Sequence, residues 1–355
     1  MSQPGLFDWS NRLESLSKCG DPLERLSQMI DFEIFRNDLE SCFNFGSHPK
    51  GGRPPYDALL IFKILVLQTL YNLSDDQVEF QIKDRLSFMR FLSLSLWKKV
   101  PDAKTVWLYR DRLKEKGLTE VLFTRFDQEI RQKGYIAMSG QIVDASIVQA
   151  PKQRMKQDEK AMVKMGGVPE GWKEKPAKLS QKDLDGRWMV KYRKAKGSDG
   201  AVDLGIPFFG YKNHVSCDRR FGFIRCYKVT DAARYDGHVL PDILDQTNTA
   251  PDVWGDTAYR SEENENYLRN NRFRYRVHYK KLKGKPLPVH MARGNRTKSG
   301  IRSRVEHIFA AQKGRMGLFI RTIGLGRAEV KVGLANLVYN LQRFCFWEEK
   351  RLLTG

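Results

Sequence analysis

The chain is poor in everything that would mark it as secreted, membrane-spanning or zinc-bound. Its 355 residues include five cysteines, Cys19, Cys42, Cys217, Cys226 and Cys345. They are odd in number, scattered and never spaced C-x-x-C, so they read as reduced structural thiols and not as a disulfide framework or zinc ribbon. The six histidines form no H-E-x-x-H pattern. No apolar run reaches the roughly 18 residues that suggest a membrane span. Met1-Ser2-Gln3-Pro4-Gly5 lacks the basic start and apolar core of a secretion signal. The expectation is a cytoplasmic chain with no membrane partner.

Acid is the second scarcity. Forty-two Asp and Glu stand against 62 Lys and Arg, a net charge of +20. A globular chain so basic points to a polyanionic partner, most often nucleic acid. From Asn266 to Val305 there is no acid at all, while Arg293, Arg296, Lys298, Arg302 and Arg304 lead into a late helix. Tyr275 and Tyr279 are interleaved with the bases of this run, which reads as a surface that tracks a phosphate backbone.

Length and a 41% hydrophobic content allow a sizeable core and two domains. The first third reads as helical. Pro54-Pro55 opens a helix carrying Leu59, Leu60, Ile64, Leu67 and Leu70; Ser74 with Gln77 forms a capping box; Pro101-Asp102 caps a further helix, and Thr119 starts one closed at Gly134. Such short helices suit a helix-turn-helix domain and equally any small bundle.

From about Tyr135 strands take over. Gln141–Val148 is short, β-branched and apolar. Residues 150–205 are polar, rich in Lys, Gly and Asp, and read as a partly disordered insertion loop and a second candidate DNA surface. Gly210–Cys217 and Phe223–Val229 form a hairpin turning at Asp218–Gly222. A helix over His238–Gln246, a strand over Asp252–Asp256, a helix over Ser261–Asn270 and a strand over Arg274–Tyr279 follow. Together these predict a mixed sheet with helices on both faces.

Three acids stand out from the rest. Asp144 sits in an apolar strand, where an acid is costly unless it ends the strand or binds something. Asp256 ends another strand, and Glu306 lies on the late helix between Arg302 at i−4 and Lys313 at i+7, on one face. Neighbouring strand ends and an adjacent helix can bring three carboxylates together, and hard oxygen donors are what Mg²⁺ or Mn²⁺ takes. Asp158, Glu159 and Asp183 lie in hydrophilic surroundings and read as surface charges. Trp254 reads as a core aromatic, and His214, which shares a strand face with Lys212, as a hydrogen-bonded strand histidine.

In this order the chain resembles the DDE transposases of bacterial insertion sequences, of the insertion-sequence-five type, from about Gly51 to Phe346. The matching segments are Gly52-Arg53-Pro54-Pro55-Tyr56, Tyr71-Asn72-Leu73-Ser74-Asp75, Pro101-Asp102 with Arg110, Val143-Asp144-Ala145-Ser146-Ile147-Val148, Gly210-Tyr211-Lys212-Asn213-His214, Gly255-Asp256-Thr257-Ala258-Tyr259 and Arg304-Val305-Glu306-His307. The resemblance implies an RNase H-like mixed five-stranded sheet with flanking helices, residues 136–355, preceded by an all-α DNA-end-binding domain, residues 1–135. It implies that Asp144, Asp256 and Glu306 hold two Mg²⁺ (or Mn²⁺) ions, Asp144 bridging them. Arg302 and Lys313 occupy the family's Arg and Lys positions around the Glu and would hold the DNA backbone, with Arg304, Lys298 and Arg296 nearby. The family's Tyr position is Ile301 here, a departure. The implied partners are double-stranded DNA, both transposon ends and target, and a second copy of the chain in the synaptic complex, in the bacterial cytoplasm at the nucleoid. An inactive or domesticated DNA-binding copy, and a stand-alone RNase H-like nuclease, are the rival readings.

Overall fold

The computed structural model describes residues 8–43, 55–197, 200–282 and 284–354. The segment Gly52-Arg53-Pro54 and the basic residue Lys283 therefore lie outside the described residues. Helices α1 (Asp8–Lys18), α2 (Pro22–Met29), α3 (Arg36–Phe43), α4 (Ala58–Tyr71), α5 (Asp75–Asp84), α6 (Leu86–Phe91), α7 (Ala103–Glu115) and α8 (Leu118–Gln132) precede the first strand. After it come α9 (Gln157–Lys164), α10 (Glu170–Lys173), α11 (Pro176–Leu179), α12 (Glu262–Asn270), α13 (Val289–Lys313) and α14 (Leu325–Thr354). The chain divides into two compact units. One holds Met1–Lys133, Arg315–Gly317 and Gly333–Gly355; the other holds Gly134–Gly314 and Leu318–Val332.

The first unit is helical. Asp57, not the proline pair, caps α4 through the Leu59 amide, its side-chain oxygen satisfying an otherwise open donor at the start of the helix. α4 is buried almost all round, which explains its apolarity; among the described residues no single helix is long and apolar enough to cross a membrane. Ser74 and Gln77 close both bonds of the capping box at 3.1 and 3.0 Å. Asp102 accepts from the Thr105 amide at 2.7 Å, and Arg110 grips Asp75 with two bonds of 2.7 Å, fastening α7 to α5.

The second unit is built on one sheet of β1 (Gln141–Gln149), β2 (Arg187–Gly197), β3 (Gly200–Asp218), β4 (Ile224–Asp231), β5 (Asp252–Trp254) and β6 (Arg274–Tyr275). β3 runs antiparallel to β1, β2 and β4, whereas β5 is parallel to β1 and β6 to β5. The order β4-β3-β1-β5-β6 is the five-stranded RNase H-like arrangement, and β2 adds a sixth strand along the outer half of β3. Gly210, with φ +144, is where β3 passes from one set of partners to the other; a Cβ there would meet the Val148 carbonyl at 2.4 Å. On one face Val143 and Val253 pack against Val239, Leu240, Ile243 and Leu268. α13 lies on the other, its Gln312 accepting from Asn213 of β3 at 3.2 Å.

Several expectations need correction. Residues 150–205 are not a loop: they form α9, α10, α11, β2 and the first part of β3. Trp172 is fully buried and donates to Glu159 at 2.7 Å, with Lys178 and Lys182 over its ring. Asp183 is no surface charge either. It is 2% exposed, accepting from the Gly186 amide and the Tyr211 hydroxyl at 2.9 and 2.6 Å. These bonds join residues far apart in a stretch without hydrophobic period, so no local pattern announces them. The segment around Val239 is a 3-10 helix, Asp236–Ile243, because Pro241 removes a helical donor. β6 keeps only two formal residues, although Arg276 and His278 still donate to Val253 and Gly255 of β5's side at 2.9 and 3.2 Å.

The β3–β4 turn rests on a buried ion pair. Asp218 accepts from the amides of Phe221 and Phe223 and from Arg225 at 3.2 Å, and Arg225 also donates to the Tyr135 carbonyl. Both side chains are essentially inaccessible, so breaking the pair leaves an uncompensated charge. Arg225→Met is expected to lower unfolding stability by about 3–5 kcal/mol in urea titration. Adding Asp218→Asn should recover most of that loss; a further additive loss would contradict the pairing.

Candidate active site

β1 runs through the middle of the sheet, between β3 and β5. Its parallel register with β5 pairs Gln141 with Val253 and Ile142 with Trp254. The pairing stops there; two residues further on Asp144 and Asp256 are near enough for the Asp256 charge to act on Asp144. Neighbouring strands lie about 4.8 Å apart, and alternation puts Ile142, Asp144, Trp254 and Asp256 on one side of the pleat. That is the α13 side. Gly255 makes the turn after β5 possible: a Cβ there would meet the Tyr259 ring at 3.0 Å and Val143 at 3.1 Å. Tyr259 thus packs tightly, and Asp256 caps the 3-10 turn Thr257–Tyr259, its Oδ1 accepting from the Ala258 amide at 2.8 Å.

The two aspartates are unequal. Asp144 accepts from the Ala145 amide at 2.8 Å. Burial pushes its carboxyl up to about 6; Arg302 and that amide pull it down, while Asp256 and Asp236 add repulsion. Asp256 is relieved directly, since Arg302 places Nη1 3.4 Å from its Oδ2. Arg302 therefore reaches across from α13 to an acid on the sheet.

Glu306 stands one turn beyond Arg302, about 40° round the helix, and Lys313 about 20° from Arg302. The three share a face. Glu306 is exposed and makes no ion pair among the described residues. The Lys313 ammonium is held below the ordinary lysine range by the protein around it and then by Lys191, with Asp144 pulling the other way. Helix α13 thus presents Arg302 to Asp256 and Lys313 toward Asp144, with Glu306 between them along the same stripe. Asp144 and Asp256 supply hard oxygen donors side by side, as a divalent ion requires. Among the described residues no group of three ligating side chains is gathered closely enough to hold an ion.

The acid-free run is less free in space than in sequence. Arg274 and Arg276 pair with Asp252 at 3.6 and 2.7 Å. Lys298 donates to the Val277 carbonyl at 2.8 Å and sits 3.8 Å above the Tyr279 ring. Arg260 covers Tyr275 and Tyr279. Arg304 donates to the Arg219 carbonyl but is otherwise exposed, and Arg296 is exposed. Trp254 is 5% exposed under the Arg219 guanidinium.

Two side chains near the aspartates, Asp236 and His278, were invisible in the sequence, whereas His214 is the hydrogen-bonded strand histidine expected. Asp236, in the turn after β4, adds its charge to Asp144 and is held by Lys212, whose Nζ donates to it at 2.8 Å and to the Arg234 carbonyl at 2.6 Å. His214 is fully buried, bonded to Thr230 at 2.9 Å, and burial depresses it to about 4. His278 lies near Arg302, Lys298 and Asp256; burial, then the two cations, lowers it, with Asp256 pulling the other way. Asp236 occupies a polar turn, and only the β3–β4 pairing brings it back to the site.

Residues 136–341 match the family described as Transposase DDE domain, and residues 11–112 match the family described as Transposase domain (DUF772). No solved structure matches the chain.

The raised Asp144 carboxyl has a sign that can be read. Its ordinary value is 3.8 and its folded value about 6, so the folded state holds the extra proton between those values. Its contribution is full below pH 4 and is lost as pH rises through 6. Urea midpoints in chelator should therefore show Asp144→Asn gaining on the wild type from pH 4 to pH 8, and Mg²⁺ should raise only the wild-type midpoint at pH 8. Parallel profiles for the two proteins would rule this out.

Proposed function

The chain belongs to the DDE transposases, and from that premise we propose that it binds the terminal inverted repeats of its own insertion sequence, hydrolyses a phosphodiester at each end and joins the freed 3′-hydroxyl to target DNA. The observation that supports this reading is that Arg302 of the helix bearing Glu306 and Lys313 pairs with Asp256 while its charge and that of Asp256 both act on Asp144. Asp144 and Asp256, with Glu306 brought in from the same helix face, would hold two Mg²⁺ or Mn²⁺ ions. Bound there, such ions supply activation of the attacking oxygen and stabilisation of the leaving one.

The protein's own groups do the rest. Asp144, half-buried and short of a direct cation, is the carboxylate with the strongest demand for positive charge. Arg302 neutralises Asp256 until DNA and cations arrive, and its planar fork then suits a bidentate grip on the phosphate beside the scissile bond. Lys313 contributes a point charge on the Asp144 side. Arg296 and Arg304, exposed on α13, extend the track along the backbone, with Lys298 fixed at its edge over Tyr279. Residues 1–135, which supply most of the helical first unit, recognise the ends, and residues 136–355 carry the chemistry. Two copies meet in the synaptic complex on the bacterial nucleoid.

On duplexes ending in the repeats that flank the reading frame, the wild type should nick and join in Mg²⁺. Asp256→Ala and Glu306→Gln should reduce both steps to background while still binding the duplex in gel shifts. Retained cleavage in either variant would end the proposal, and DNA binding with no cleavage by the wild type in Mg²⁺ or Mn²⁺ would favour an inactive, domesticated copy.

A further inference from the structure

Strands β2 and β3 pair from Arg187–Gly210 outward to Gly197–Gly200. β1 and β4 pair only with the stretch from Gly210 to Asp218. Beyond Gly210 the two strands leave the sheet as a ribbon, with no other strand on either edge among the described residues. Eleven register pairs at about 3.4 Å per residue give an arm of roughly 34 Å, one turn of B-DNA. A free two-stranded ribbon ordinarily leaves its edges covered or its faces polar. This one exposes Val190, Tyr192 and Leu204 at 47, 70 and 56%.

The arm is also charged on one side of its sequence. From Lys191 to Lys196 the outgoing strand carries Lys191, Arg193, Lys194 and Lys196 and no acid. Tyr192 lies opposite Gly205 in the register, so no partner side chain covers its ring from that position. Part-way out, opposite Ile206, Lys191 is near enough to Lys313 to press on its charge, and Lys313 in turn feels Asp144. Two cations brought together on an exposed surface suit a phosphate running between them.

We propose that the β2–β3 ribbon is a DNA-binding arm that enters edge-on the major groove of a duplex lying across the α13 face, with Lys191, on one face of the ribbon, on a phosphate of one wall and Val190 and Tyr192, on the opposite face, against the sugars of the other. This rests on the transposase reading above. The major groove is about 12 Å wide and admits a two-stranded β-ribbon, and the length of the arm matches one helical turn. Charge complementarity favours DNA over a second copy of the chain, which carries the same +20.

The test is fluorescence anisotropy of the full chain with a labelled random-sequence duplex of about 40 base pairs, roughly four turns, in chelator over a range of salt. Lys191→Ala should weaken binding several-fold and reduce the slope of log affinity against log salt by about 0.9, one phosphate contact. Tyr192→Ala should weaken binding with the slope unchanged. A protein with Met189 joined to Phe208 through Asn-Gly, which removes Lys191 and Tyr192 with the rest of the arm, should lose both contributions, all three keeping wild-type circular dichroism and melting. Wild-type affinity and slope in the point variants would overturn the arm. So would variants that change only the sedimentation coefficient, which would make the ribbon a contact between copies. If the wild type itself fails to bind the duplex, the transposase reading falls instead.

Discussion

The parallel pairing of β1 with β5 is the constraint on which the site depends. A one-residue slip would turn Asp256 to the opposite face, into the cluster of Val239, Leu240, Ile243 and Leu268, and separate it from Asp144. The register is fixed by burial on both faces: Val143 and Val253 on one, Ile142 and Trp254 on the other, all 5% exposed or less. Hydrophobic packing therefore sets the distance between two acids whose mutual repulsion would otherwise drive them apart. The stabilisation comes from the residues between and around the acids, and Asp144 carries its cost as a raised carboxyl.

How charge is shared out follows from that geometry. Arg302 spans from helix to sheet and relieves Asp256; Lys212 holds Asp236 behind the same strands; Asp218 and Arg225 close the far end of the hairpin. Each of these three acids thus has a cation beside it. Asp144 has one amide bond, to its own neighbour, and Arg302 at a remove. It is the position where added positive charge gains most.

Features set by neighbours in sequence were legible from the residues alone. The Ser74–Gln77 box, the Asp102 cap, β1 as an apolar β-branched run and the turn at Asp218–Gly222 all appear where local chemistry puts them. An acid inside an apolar strand was also visible, which singled out Asp144 and Asp256. What local pattern could not reveal are bonds across the sheet. Asp183 closing on Tyr211, Trp172 buried among lysines, Asp236 returning to Asp144 and the long pairing of β2 with β3 each join segments with no shared period. The basic run before Glu306 shows the same limit from the other side: it is acid-free in sequence, yet Asp252 from an earlier strand pairs with two of its arginines.

The central claim is that the β1–β5 register builds a divalent-cation site that Glu306 completes from α13. Replacing Mg²⁺ by Fe²⁺ in the full chain and adding peroxide cuts the backbone next to the bound ion. The account predicts cuts around Asp144, Asp256 and Glu306, suppressed by excess Mg²⁺ and absent in Asp144→Asn. Cuts elsewhere in the chain, or the same three cuts persisting in Asp144→Asn, would contradict it.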